Sequence, residues 1–120
     1  MTKRTATRIA LTGLLITALG AVCLAGDGGP QLHPAENLGA VYSVASTFKT
    51  QIKFVNESGK TVKIFWMDPN KTRQLKATLK DGKDEKFDTF ITHPWLVTDK
   101  DENAIAIYWP DTEPRTVKLK

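Results

Sequence analysis

The sequence predicts an all-β fold, a small sandwich of short strands, and three observations carry that prediction. From Thr50 onward apolar and polar residues alternate in short runs, the period of a half-buried strand. Clusters of Gly, Asp, Asn, Pro and Lys separate these runs about every eight to twelve residues, the spacing of a sandwich. No internal repeat or low-complexity tract interrupts the pattern.

The chain of 120 residues is at most one domain. Residues 1–25 read as a cleaved secretory signal peptide. Lys3, Arg4 and Arg8 supply its positive end, and Ile9 to Val22 its apolar run. That run is shorter than the roughly 20 residues of a membrane span. The small residues of Ala21-Val22-Cys23 and Cys23-Leu24-Ala25 place cleavage after Cys23 or Ala25. A lipoprotein anchored through Cys23 is disfavoured by Val22, where a small residue is usual. The localisation expected is therefore secreted or periplasmic, with no membrane span after cleavage. Cys23 is the one cysteine, so the mature domain has no disulfide.

The formal charge of +4 belongs mostly to this leader. Without its three basic residues, fourteen Lys and Arg face thirteen Asp and Glu. A nucleic-acid partner requires a clustered positive excess, and none remains.

Residues 26–40, with Pro30, Pro34 and four glycines, read as a flexible lead-in. Pro34 to Ala45 fits either a helix, with Leu38, Val41, Tyr42 and Ala45 on one face, or an extended arm. The folded domain is taken as 41–120. Gln51 to Asn56 alternates as a strand, then Glu57 to Lys60 turns. Thr61 to Met67 places Val62, Ile64 and Trp66 on one face, and Asp68 to Lys71 turns. Thr72 to Leu79 is a more polar strand, closed by the turn Lys80 to Lys83. Glu85 to Thr92 follows, continued after Pro94 by Leu96 and Val97. Asp99 to Glu102 turns. Ala104 to Trp109 is nearly all apolar, which predicts a central strand. After the loop Pro110 to Pro114, Thr116 to Lys120 turns Val117 and Leu119 inward. The expected core is Ile52, Phe54, Val62, Ile64, Phe90, Ile105, Ile107 and Val117.

The most informative stretch is Thr89-Phe90-Ile91-Thr92-His93-Pro94-Trp95. Strand alternation puts Thr89, Ile91, His93 and Trp95 on one face, with Phe90 and Thr92 on the other. Pro94 lacks an N–H, so pairing lapses there. A hydroxyl, an imidazole and an indole then share one side, the make-up of a small binding pocket. The competing reading makes Trp95 core and His93 a turn residue.

Catalytic and metal chemistry find little support. There is no phosphate-binding glycine loop and no pair of histidines at metal spacing. His33 falls in the lead-in. A Ser-His-Asp set can be written from Ser43 or Ser46, His93 and Asp88, but nothing fixes its geometry. Asp68, Asp99 and Asp101 sit in turns, where the usual role is to bond backbone. Neither a metal nor another cofactor is expected, and the chain is not read as an enzyme.

The run Gln51-Ile52-Lys53-Phe54-Val55-Asn56-Glu57-Ser58, then Val62-Lys63-Ile64-Phe65-Trp66-Met67-Asp68, resembles the von Hippel-Lindau β domain family. Thr78-Leu79 with Gly82, and Phe90 to Trp95, extend the resemblance across almost all of the mature domain. It implies a seven-stranded β-sandwich and favours the extended-arm reading of Tyr42 to Ser46. It also implies a slot for 4-hydroxyproline in an extended peptide. Its tryptophans would be Trp66 and Trp95, its histidine His93, and Thr89 would stand at its serine position. The family's tyrosine position, three residues before Leu79, holds Lys76. A peptide-contacting asparagine corresponds to Ala45. The helical domain that recruits ubiquitin-ligase machinery is not expected, so neither are those partners.

Physical reasoning agrees with the resemblance. A ring hydroxyl both donates and accepts. Thr89 and His93 would satisfy it, and plain proline would leave them unpaired at a cost of about 1–3 kcal/mol. The reading is an exported binding module for an extended peptide, proline- or hydroxyproline-containing. The alternative is a structural envelope domain whose aromatics are core.

Overall fold

The structure is a computed structural model that describes residues 29–120. The signal-peptide reading of residues 1–25 lies outside the described residues. A short helix, α1 (Pro34–Asn37), precedes seven strands. These are β1 (Lys49–Asn56), β2 (Val62–Met67), β3 (Arg73–Leu79), β4 (Asp84–Phe90), β5 (Trp95–Asp99), β6 (Ala104–Tyr108) and β7 (Arg115–Leu119). They form two sheets, ordered β4-β1-β7 and β3-β2-β5-β6. All pairings are antiparallel except β1 with β7. Among the described residues no helix is long and apolar enough to cross a membrane.

The alternation seen in the sequence becomes burial. Ile52 and Phe54 of β1 face Val62, Ile64, Trp95 and Val97 of the other sheet, with Leu79, Val117 and Leu119 closing the core. Trp66, Trp95 and Tyr108 lie in register across β2, β5 and β6. Phe54 sits beneath them, 6.2 Å from Trp95 and 6.0 Å from Tyr108 between ring centroids. Phe87 of β4 stacks on Trp95 at 4.6 Å. Such offset and edge-on contacts add to the burial of each ring.

A second core lies on the outer face of the four-stranded sheet. Phe65, Met67 and Leu96 are buried there beneath Val41, with Ala35 and Ile107 packed against them. The cover is the segment read as a flexible lead-in, and its described part is docked instead. Pro34 opens α1, and His33 caps it by accepting the Ala35 N–H at 3.0 Å. Glu36 returns to the His33 N–H and grips Arg73 of β3 through two hydrogen bonds of 2.9 Å. The carboxylate and guanidinium are only 7% and 13% exposed. Burial alone would raise the Glu36 carboxyl; the bonds from Arg73 and His33 and the Arg73 charge hold it below its ordinary value. The helix reading of Pro34 to Ala45 holds for one turn, after which the chain runs extended. Val41 and Ser43 point inward and Tyr42 and Val44 outward.

This second core explains where the sequence misled. Ala104 to Trp109 is not central: β6 is an edge strand, and β5 takes the buried middle. Its apolar residues divide between the two cores, Tyr108 packing on the first and Ala104 and Ile107 on the second, so it reads as a continuous apolar run. Ile105 falls where the β5–β6 register shifts and is 57% exposed, so it is not core. Ile107 is half-buried in the second core, and Phe90 is half-buried at the end of β4. Ile52, Phe54, Val62, Ile64 and Val117 are buried as expected.

The aspartate turns are built alike. Asp68 accepts the N–H groups of Asn70 and Thr72, and Asp99 those of Asp101 and Asn103. The third residue after each aspartate, Lys71 or Glu102, takes positive φ. These backbone bonds, from Thr72 and from Asn103 foremost, hold both carboxyls below their ordinary values. Their oxygens thus serve the turns, and no metal-ligand cluster occurs among the described residues.

Candidate functional site

Where β4 ends, the chain must cross from one sheet to the other. It does so over Ile91 to Pro94, with the His93 N–H donating to the Phe90 carbonyl at 3.0 Å. The strand therefore stops earlier than alternation suggested. The face assignment changes with it: Phe90 joins the His93 side, with ring centroids 5.1 Å apart, and Ile91 leaves it.

The extended arm supports this crossing. The Val44 N–H donates to the Thr92 carbonyl, and the Thr92 hydroxyl donates to the Val44 carbonyl. The Ile91 N–H reaches the Phe48 carbonyl, and the Ser43 hydroxyl donates to the Met67 carbonyl. The bonds of Thr92 and Ile91 fix the loop that carries His93, and the Ser43 bond ties the arm to β2.

The structure brings all five sequence-selected residues together. Trp66, Lys76, Thr89, His93 and Trp95 line one concavity of about 250 Å³, joined by Phe90 and Asp88. The residues differ in exposure. Trp95 is 3% exposed and Thr89 5%, so they form the floor. Trp66 and His93 are half-buried walls, and Lys76 is an exposed rim. Lys76 occupies a β-bulge, since Ile64 pairs with Ala77 and Phe65 with Leu75, leaving Lys76 opposite no residue. Bulges re-aim side chains, and here the Lys76 ammonium stands 5.6 Å from the Trp66 ring centroid.

The polar groups were expected to be free, and they are not. Trp95 Nε1 donates to Thr89 Oγ1 at 3.1 Å, and Trp66 Nε1 donates to His93 Nδ1 at 3.3 Å. Two indoles thus engage both candidate ligand-binding groups. Alternation shows which side chains share a face, but not which bond one another. Capacity remains: a threonine hydroxyl that accepts one bond still has its own proton to donate. With Nδ1 accepting, His93 carries its proton on Nε2. Burial lowers the His93 pKa, and a backbone hydrogen bond with Val44 acts the other way. The net direction is downward, so the ring is neutral at neutral pH.

The Ser-His-Asp set does not assemble. Ser43 is bonded to Met67, Ser46 accepts the Phe48 N–H, and Asp88 accepts from Gln51 at 2.9 Å. None of the three bonds His93. A larger hollow of about 520 Å³ adjoins the slot and shares Asp88, Thr89 and Phe90 with it. Its further lining includes Lys49, Thr50, Thr112 and Pro114.

Sequence reasoning missed Phe90 as a site residue, because it extended the strand past its end. It used Asp88 only for a hypothetical triad. Ala45, at the family's asparagine position, is exposed on the arm.

The family model of the VHL beta domain matches residues 41–113. The match begins where the arm enters the second core and ends in the β6–β7 loop, so it spans the slot and both sheets' central strands. The chain belongs to the VHL beta domain family.

Proposed function

We propose that this protein is an exported, non-enzymatic module that binds an extended peptide segment in the slot of Trp66, Lys76, Thr89, His93 and Trp95. The VHL beta domain is in general a substrate-binding module. The observation that carries the peptide reading is the convergence of all five residues on one concavity at a sheet-to-sheet crossing. Its volume is below the roughly 300–1,000 Å³ typical of a drug-sized ligand. It suits one ring with its flanking backbone, and the adjoining hollow offers a path for the chain on either side.

A ring hydroxyl would receive the Thr89 proton, and it would have to compete with the Val44 backbone for the His93 Nε2–H. This favours hydroxyproline over proline within the class. Export rests on Lys3, Arg4, Arg8 and the apolar run Ile9 to Val22. Processed protein from the host should begin at Leu24 or Gly26; a cytoplasmic chain that keeps Met1 would overturn export.

A second reading has its own observation. Both indole N–H groups already have partners, and Trp95 is almost fully buried. A structural domain would need nothing more. Calorimetry with paired proline and hydroxyproline peptides separates the two. Binding that is weakened severalfold by His93→Ala, in a protein that still melts cooperatively, supports the slot. No binding by either peptide, together with unfolding of His93→Ala, assigns these residues to structure alone.

A further inference from the structure

The slot's rim carries a cation that the fold does not use. Lys76 sits on the bulge of β3, and its ammonium lies over the Trp66 ring at 5.6 Å. Among the described residues, Lys63, Arg73, Lys100 and Lys120 each lie within ion-pair distance of a carboxylate, and Lys76 does not. Arg73 and Arg115 also lie over aromatic rings, but both are tied by hydrogen bonds to neighbours, and Lys71 lies over Tyr42 away from the slot, so Lys76 is distinguished by its place on the slot's rim. Asp88, the acid that lines the same slot, has its Oδ1 taken by Gln51.

We propose that Lys76 makes the slot selective for a carboxylate placed next to the ring it holds. This rests on the peptide reading of the slot. The geometry limits where that carboxylate lies. The concavity takes one ring, and an extended chain advances about 3.3 Å per residue. Only the ring's own residue or its immediate neighbour then falls within reach of Lys76. The shared chemistry has two sources: the α-carboxylate of a peptide that ends at the ring, or the side chain of an adjoining Asp or Glu.

The test is calorimetry at low and moderate salt with two matched peptide pairs. One pair ends at hydroxyproline as free acid or amide. The other carries hydroxyproline beside Asp or beside Asn. For the wild type, the acid member of at least one pair binds roughly three- to tenfold tighter, and less so with added salt. The pair that shows the preference identifies the source. Lys76→Gln brings the ratio to about one, and Lys76→Glu inverts it. Lys76 is exposed, so both variants keep the wild-type melting temperature, which is measured alongside. Equal binding of acid and amide, or a preference that survives in Lys76→Gln, overturns the inference and leaves the peptide reading standing. Absence of binding by all four peptides overturns both.

Discussion

Thr89→Val is nearly isosteric, yet the structure assigns it a measurable cost. Thr89 Oγ1 accepts the Trp95 indole N–H at 3.1 Å, and both side chains are buried. Valine leaves that N–H without a partner. An unsatisfied buried donor costs about 1–3 kcal/mol. The added methyl returns up to about 0.8 kcal/mol. A net loss of roughly 1–2 kcal/mol follows. In a domain of roughly 90 residues that lowers Tm by about 4–16 °C. Urea and thermal denaturation of Thr89→Val, Trp95→Phe and the double variant give the coupling directly. The double variant should be less destabilised than the two single costs combined, because phenylalanine has no N–H to strand. Thr89→Val within about 0.5 kcal/mol of wild type, with no coupling to Trp95, would refute the reasoning. It would mean that the hydroxyl serves no partner in the free protein.

Three further outcomes are expected. His93 has a pKa lowered by burial, so the unfolded chain binds its proton first. Its contribution is complete above the unfolded value near 6.5 and is lost as pH falls below it. Denaturation between about pH 6.5 and 5 should show declining stability in wild type and a flatter profile in His93→Gln; identical profiles would remove His93 as the cause. Leu96→Ala on β5 should cost about 2–5 kcal/mol, and Ile105→Ala within about 0.5 kcal/mol; the reverse order by urea denaturation would contradict the placement of β6 at the edge. Glu36→Ala strands Arg73 and should cost about 2–3 kcal/mol, between the exposed and buried limits for ion pairs. Hydrogen exchange should then rise first in residues 29–44, and unchanged protection there would contradict the docking of the arm.

The strands were legible because one period governs them. Ile52 and Phe54, or Val62 and Ile64, are buried since every second residue of a strand shares a face. The turns were legible because Asp68 and Asp99 bond backbone as aspartates in turns do. The arm was not, because its docking depends on partners far along the chain. Arg73 and Ala104 tie it down, and no local signal in Pro30 to Ala40 announces them. The same hidden layer made β6 look central. At the site, resemblance identified Trp66, Lys76, Thr89, His93 and Trp95, and all five meet in one concavity. The internal bonds of Thr89 and His93 stayed hidden, because they depend on where the strand stops.

The claim that the slot binds peptide is tested most directly by the indole N–H signals in a nitrogen-15 correlation spectrum. The chain has three tryptophans, and only two of them line the slot. Titration with a hydroxyproline peptide should shift the Trp66 and Trp95 signals together and saturably. Trp109, exposed beyond β6, should stay in place as the internal control. Three unmoved signals at millimolar peptide, or a shift confined to Trp109, would contradict the account.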